Sequence, residues 1–407
     1  MKINNKNNHR YIPLLALLSG VAVTPVHAEQ ASPKTAEENK AKAFVDFRLR
    51  FESVDQDNAL KDAEGLTLRT LLHYQTKQFN GFSAVVEFED SRNAMGVEDY
   101  NDTIGNNTEY SVIADPNTTE LDQGFVQYKG KGFTAKLGRQ VITFDGHRYV
   151  GHVGWRQDKQ TFDAASVNYK SDALSLSYAY LDKRNRIFAE EKDIDSKDHL
   201  LNASYSTSFG KFVAYGYLLE MDNGTDNALD TYGASFDGKT KLFSKPVSYR
   251  AEIATQTMES GNSEYDAEYA NVEAGIGLGK FTVKLGFESL GSDDGDYGFS
   301  TPLATLHKFN GWSDQFLSTP AQGLDDLYVS VSGKLLSGSV MLAYHDFSAN
   351  EEANGVDDLG DEINISYATK FMKNFNAGIK FANYSAGDNE AGKVDTDKVW
   401  IWVGARF

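Results

Sequence analysis

Val45-Asp46-Phe47-Arg48-Leu49-Arg50-Phe51-Glu52 alternates apolar and charged side chains at every position. Successive side chains of a β-strand point to opposite faces of its sheet, so this segment predicts a strand with one apolar face and one charged face. One face suits lipid and the other suits water. This is the sequence signature of a strand in a transmembrane β-barrel.

The same alternation recurs from residue 43 to the end of the chain. Clear copies begin near residues 66, 82, 174, 213, 247, 272, 281, 327, 340, 363, 375 and 399, and weaker copies lie near residues 123–129, 133–140, 162–169, 199–206 and 231–237. Together they predict about 18 strands, with 16 as the lower bound. In the copy near residue 213, the predicted outward side chains are Val213, Tyr215, Tyr217 and Leu219.

Connections between these segments are alternately short and long. Short, polar turns lie at residues 130–132, 170–172, 209–211, 279–280 and 370–374, and long polar stretches lie around residues 91–120, 142–160, 182–198, 289–325, 346–362 and 384–396. Bacterial barrels have short periplasmic turns and long extracellular loops. The predicted fold class is therefore all-β, a transmembrane antiparallel up-and-down barrel, and the long stretches suit its outer surface.

The N-terminus predicts export from the cytoplasm. Basic residues Lys2, Lys6 and Arg10 precede an apolar run at residues 12–23, and Val26-His27-Ala28 suits a signal peptidase. The run is too short for a membrane anchor. We expect a cleaved signal peptide at residues 1–28, a short polar periplasmic segment at 29–42 and the barrel at 43–407, which reaches the Gram-negative outer membrane through the periplasm.

Composition and motifs argue against several classes of function. The 407 residues contain no cysteine, which excludes disulfides and thiolate metal sites, and the net charge of −18 argues against nucleic acid. Neither a nucleophile elbow, a zinc-protease motif nor a P-loop is found, so no enzymatic activity, cofactor or metal is expected. Two alternatives stay open: a barrel enzyme acting on lipid or peptide, and a surface carbohydrate-binding β-protein.

The last segment predicts an assembly signal. Its outward row consists of Val399, Ile401, Val403 and the terminal Phe407. A row of this kind looks like the C-terminal signature that the barrel assembly machinery recognises in outer-membrane proteins. The expected partners are this machinery, outer-membrane lipid and lipopolysaccharide.

Predicted lumen residues come from the inward face and from one unusual connection. Alternation places Arg48, Arg50, Arg69 and His73 inside the barrel, where they either set selectivity or belong to a structural lattice of ion pairs. The segment at residues 138–157 is rich in Arg, His, Gln and aromatic residues, and we expect it to fold into the lumen, with a surface loop as the alternative. Its candidate solute contacts are Arg139, Arg148, Arg156 and Gln157.

Several segments resemble the alginate-export family of outer-membrane barrels. They are residues 45–58, 68–90, 138–164 with its Gly-Arg-Gln and Trp-Arg-Gln elements, and the closing strand. The resemblance implies an 18-stranded barrel with an arginine-lined conduit for anionic polysaccharide, and the matching positions are Arg48, Arg50, Arg69, Arg139, Arg148 and Arg156. We therefore predict a passive porin for small or oligomeric hydrophilic solutes, with anionic saccharides among the candidates.

Overall fold

Alternating sequences along most of the chain form β-strands in the computed structural model, which describes residues 40–353 and 355–407. In chain order the strands are β1 (Lys42–Gln56), β2 (Ala63–Gln75), β3 (Phe82–Asp99), β4 (Thr118–Gly130), β5 (Phe133–Gln140), β6 (Thr161–Lys170), β7 (Leu174–Asn185), β8 (Ile194–Ser206), β9 (Lys211–Glu220), β10 (Asn227–Leu242), β11 (Lys245–Ser260), β12 (Ser263–Leu278), β13 (Phe281–Leu290), β14 (Ser292–Asp293), β15 (Tyr297–Gly298), β16 (Leu324–Leu335), β17 (Gly338–Ala353), β18 (Val356–Phe371), β19 (Phe375–Ser385) and β20 (Thr396–Arg406). The predicted signal peptide lies outside the described residues.

Eighteen of these strands form one closed antiparallel barrel, as predicted. The barrel closes because β1 pairs with both β2 and β20, so that Arg48 lies opposite Arg69 on one side and Gly404 on the other. The two remaining strands, β14 and β15, pair only with each other. Closure leaves no unpaired sheet edge in the membrane.

Short single-turn 3₁₀ helices interrupt some connections, at Asp145–His147, Glu190–Lys192, Leu306–Lys308 and Asn389–Ala391. Among the described residues, none of the helices has the length and apolar character needed to cross a membrane.

Turn lengths distinguish the two ends of the barrel. Short turns at residues 131–132, 279–280 and 336–337 lie at the end where β1 begins and β20 ends, which we call the periplasmic end. The expectation of an outer loop at residues 346–362 is wrong, because β17 and β18 continue there as a paired hairpin. Beyond the lipid both faces of a hairpin meet water, so the sequence there loses its apolar alternation.

Most of the predicted outward rows are exposed on the barrel surface, as Ile253, Val272 and Leu285 illustrate. The prediction for β9 is wrong: its row of Val213, Tyr215, Tyr217 and Leu219 is buried inside the barrel. Tyr149, which lies in a connection inside the lumen, packs against Tyr215 and Tyr217 with ring centroids 4.9 and 5.8 Å apart. Alternation alone does not show which of two faces meets lipid when the lumen also holds apolar groups.

Two connections fold into the barrel and pack against each other. The first inward loop comprises residues 141–160 and the second comprises residues 291–323. The Gly151 amide donates to the Leu303 carbonyl at 2.8 Å, and the Thr305 amide donates to the His147 carbonyl at 3.0 Å. The expectation that residues 289–325 lie on the outer surface is therefore wrong, since this connection contributes Leu303 and other apolar side chains to the interior.

Candidate functional site

The first inward loop is held by the wall formed by β1 and β2. Arg48 donates from Nε to Gln157 Oε1 at 2.9 Å and from Nη1 to the Gly154 carbonyl at 3.1 Å. Gln157 in turn donates from Nε2 to Thr67 Oγ1 at 2.8 Å. All three polar side chains are buried, so these hydrogen bonds replace water that the groups have lost.

Arg156 joins the wall to both inward loops. Its guanidinium lies 2.9 Å from Glu52 on β1 and 3.2 Å from Asp314 on the second inward loop. These carboxylates, together with Asp115, raise the pKa of Arg156 although burial, the largest single effect, lowers it. Burial would likewise raise the pKa of Asp115, but Arg50 and Arg156 lower it. Arg156 and Asp115 are therefore both charged at neutral pH.

Arg148 forms a second clamp between the loops and the wall. Its Nε lies 2.9 Å from Glu288 on β13, and Nη2 donates to Asn310 of the second inward loop at 3.1 Å. The guanidinium also lies over the ring of Phe309, 4.7 Å from its centroid. Arg148 and Arg156 thus tie the first inward loop to two nearby residues of the second, Asn310 and Asp314.

All four tryptophans of the chain meet where the two loops approach β19 and β20. Trp155 stacks on His307, with ring centroids 5.0 Å apart. His307 contacts Asp314 through Nδ1 at 2.6 Å and Lys380 through Nε2 at 2.6 Å. Burial lowers the pKa of His307 to about 3 although Asp314 raises it, so the ring is neutral at neutral pH. Its Nε2 can then accept a hydrogen bond from the lysine.

A third clamp was not predicted from the sequence. Lys159 lies 2.9 Å from Glu87 and 3.1 Å from Glu89, and it also contacts Asp122. Glu87 contacts His73 at 2.6 Å, which links that residue to the first inward loop. The sequence shows Glu87 and Glu89 at inward positions of β3, but nothing local indicates that a lysine more than 60 residues later supplies their partner.

One predicted lumen residue lies elsewhere. Arg139 is on the outward face of β5 with Leu137, because its partner across β4 is Gly124 and that of Leu137 is the exposed Val126. Its Nε lies 2.8 Å from Asp163 on β6. The predicted grouping of Arg139 with the lumen arginines is therefore wrong. The prediction counted Arg139 with the inward connection, but β5 continues through this residue.

Comparison with known proteins assigns the chain to a family. Residues 41–288 match the family model described as alginate export. The chain belongs to the alginate-export family. A comparison with curated proteins finds no match.

Solved structures share the fold of this alginate-export family member. It is similar to OccAB1 of Acinetobacter baumannii, with 14% identity and a TM-score of 0.70 over 90% of this chain and 96% of that chain. It is also similar to OccK9 (OpdG) of Pseudomonas aeruginosa, with 13% identity and a TM-score of 0.70 over 90% and 98% of the two chains. Family and barrel together make the protein an outer-membrane, porin-like channel.

Most lumen arginines of this family member form ion pairs with carboxylates of the same chain. Arg50 pairs with Asp115, and Arg69 pairs with Asp46, besides the clamps made by Arg148 and Arg156. All four are buried, so their first role in the structure is to hold loops and wall together. Among the described residues, no cluster of three or more His, Asp or Glu side chains is placed to hold a metal ion.

Basic groups that are less buried lie beside the loops. Lys308, on the second inward loop, donates to the Gly146 carbonyl at 2.6 Å, and no ion pair joins it to a carboxylate within the described part of the chain. Burial, followed by the neighbouring Lys284, lowers the pKa of Lys308 to about 8. Lys284 and Arg250 are each paired with a wall glutamate but are 38% and 22% exposed.

The predicted assembly row lies on the outward face of the closing strand. Ile401 is half exposed, at 50%, and Phe407 is 61% exposed. Phe407 and Val45 exchange two backbone hydrogen bonds of 3.0 Å, so the terminal residue is tied to the first strand. Recognition of this row by the assembly machinery stays a prediction.

Proposed function

We propose that the protein is a passive, substrate-preferring channel for small or oligomeric hydrophilic solutes that carry negative charge. Anionic saccharides are the first class to test. In this proposal the protein catalyses no reaction, and the solute gradient alone drives transport. The observation that carries the proposal is the pair of inward loops braced across the barrel.

Size selection is expected from these loops. A barrel with 16 to 18 strands leaves an aqueous channel when nothing occupies it. Here residues 141–160 and 291–323 lie inside, and buried contacts made by Arg48, Arg148 and Arg156 hold them. A brace of this kind supports a permanent constriction rather than a loop that moves with each passage.

Charge selection is expected from the less buried cations and not from the fully buried pairs. A guanidinium already neutralised by a carboxylate adds little net potential to the lumen. Lys308 has no such partner among the described residues, and Lys284 and Arg250 lie close enough to affect its pKa. Cations that line a narrow pore favour anions, so this side of the lumen supports a preference for negatively charged solutes.

Planar-bilayer recording of the purified protein tests the proposal. Reversal potentials are measured across a potassium chloride gradient, and permeation is compared for an acidic trisaccharide, a neutral trisaccharide of equal length and a cationic amino sugar. We expect stable channels, selectivity for chloride and the highest permeability for the acidic sugar. Absence of channels, selectivity for potassium, or hydrolysis of lipid or peptide by the pure protein would contradict the proposal.

A further inference from the structure

Four side chains form a patch on the lumen wall at the periplasmic end. They are Phe44, Asn376, Trp402 and Arg406, which we call the periplasmic patch. Trp402 and Arg406 lie opposite Arg50 and Asp46 across the β1–β20 pair. Cross-strand partners share a face of the sheet, and Arg50 contacts the first inward loop, so the patch faces the lumen.

Trp402 lies on the wall as a half-buried platform. A Cβ atom at Gly378, its partner on β19, would overlap the indole ring, so the glycine gives the ring room against the strand. Trp155 of the first inward loop meets Trp402 nearly at a right angle, with centroids 5.6 Å apart. The platform therefore lies directly below the inward loop, on the periplasmic side.

Arg406 is held in place by aromatic contacts. Its guanidinium lies 3.6 Å from the ring centroid of Phe44, and Phe44 stacks on His73 with centroids 4.4 Å apart. The nearest carboxylate across the strand pair, that of Asp46, is occupied by Arg69. In the described part of the chain no ion pair joins Arg406 to a carboxylate, and the residue is exposed.

Asn376 supplies a polar group between the platform and the cation. It lies opposite Gly404, and a Cβ atom there would approach the Asn376 amide nitrogen to 2.7 Å. The amide group therefore occupies the space over the glycine. An amide at this position can both donate and accept a hydrogen bond.

We propose that the periplasmic patch is a binding subsite for a solute that carries a carboxylate on a ring. The face of the ring would stack on Trp402, its polar substituents would bond Asn376, and Arg406 would bind the carboxylate with its two parallel N–H donors. Trp402 and Arg406 are four residues apart on one strand, which is roughly 13 Å along the chain, so a ligand of two or three rings spans both. This inference rests on the proposed function and adds a location and a chemistry to it.

Three probes separate the two contacts. Trigalacturonate has rings and carboxylates, maltotriose has rings only, and tricarballylate has carboxylates only. Binding to the full-length protein in detergent is measured by calorimetry, with tryptophan fluorescence as a second readout. We expect trigalacturonate to bind roughly tenfold tighter than either of the others, since each contact is of the size that changes affinity by about this factor.

Variants assign the contacts to residues. W402A should remove the advantage of trigalacturonate over tricarballylate, and R406A should remove its advantage over maltotriose, whereas W402F and R406K should retain part of each. R186A is the matched control, because Arg186 also lies over a ring, that of Phe188 at 4.6 Å, but in the connection at the other end of the barrel. Heat-dependent gel mobility confirms that every variant has folded.

Two results would contradict the proposal that the periplasmic patch is a binding subsite. The first is equal affinity for trigalacturonate and maltotriose in the wild type. The second is unchanged trigalacturonate binding in both W402A and R406A. The proposed function and the subsite are tested independently. Selective anion conductance without binding at the periplasmic patch would contradict only the subsite, and binding at the patch without anion conductance would contradict only the proposed function.

Discussion

Arg156 is the residue on which the interior depends most. It contacts Glu52 on the wall, Asp314 on the second inward loop, and belongs itself to the first. A buried charge that loses its partner is strongly unfavourable, because the remaining ion has neither water nor counter-charge. The contribution of Arg156 to stability is therefore best measured by truncating its side chain, with an arginine of an outward-facing ion pair as the comparison.

Truncation of Arg156 should destabilise the barrel measurably. R156A removes the cation that Glu52 and Asp314 share, although Glu52 keeps Arg50 and Asp314 keeps Lys398. The loss of stability should therefore be smaller than about 3–5 kcal/mol, the cost of leaving a buried charge uncompensated. Circular dichroism during thermal or denaturant unfolding in detergent gives the difference. R139A is the control, because it breaks the less buried pair with Asp163. Equal stability of the two variants against unfolding would show that Arg156 does not stabilise the packing of the loops against the wall.

Lys308 predicts a pH dependence of selectivity. Its pKa is lowered to about 8 by burial and by Lys284, so the side chain is charged at pH 7 and largely neutral at pH 9. Anion selectivity should therefore fall as the pH rises through this range. The pKa of His147, lowered to about 4 by burial and then by Lys308, keeps that residue neutral throughout.

Reversal potentials at pH 7, 8 and 9 test this dependence. K308M should show lower anion selectivity at pH 7 and no step between pH 7 and pH 9. A step that persists unchanged in K308M would assign the titration to another group.

At the scale of elements, strands were predictable and their lumen partners were not. Alternation is a local property, and residues 133–140, predicted from it, coincide with β5. Turns were equally local, since Gly-Lys at residues 279–280 allows the reversal between β12 and β13. Which face of a strand meets lipid does not follow from local sequence where apolar groups also fill the lumen. For this reason the predicted outward face of β9 is wrong.

Only part of the candidate site follows from the sequence, because local patterns do not show contacts between distant residues. The first inward loop has an unusual composition that the sequence reveals directly. The second has Trp312 and His307 among ordinary polar residues, and its position depends on contacts such as that of Arg156 with Asp314, 158 residues apart in sequence. Pairings across such distances leave no local pattern, so the partners Asp115, Lys159 and Asp314 were found only in the structure.

The closing strand carries a prediction about assembly. F407A, or a charged residue added after Phe407, should lower the amount of assembled barrel in the outer membrane without affecting passage across the inner membrane. The reason is the outward row that ends on this exposed aromatic residue. Fractionation with heat-dependent gel mobility measures it, and F209A, another exposed aromatic residue near the periplasmic end, is the control. Assembly of F407A at wild-type level would show that the row is not a recognition signal.

At the scale of the molecule, the outer connections and the lumen differ in the charges that they expose. Exposed acidic residues such as Glu109 and Glu191 lie in the outer connections, while Lys308 and Arg406 face the lumen. The net charge of −18 therefore does not describe the surface that a solute meets inside the barrel. Exposed charges are screened beyond about 10 Å at 0.1 M salt, so the selectivity of the channel should weaken as salt rises.

The most direct test of the account is the conductance of a channel whose two arginine clamps are removed together. R148A/R156A frees the first inward loop from Glu288, Glu52 and Asp314 and removes two positive charges from the lumen. In planar bilayers we predict a larger single-channel conductance than in the wild type and a reversal potential shifted away from anions. Unchanged conductance and reversal potential in a correctly folded double variant would contradict the claim that these braced loops form the constriction.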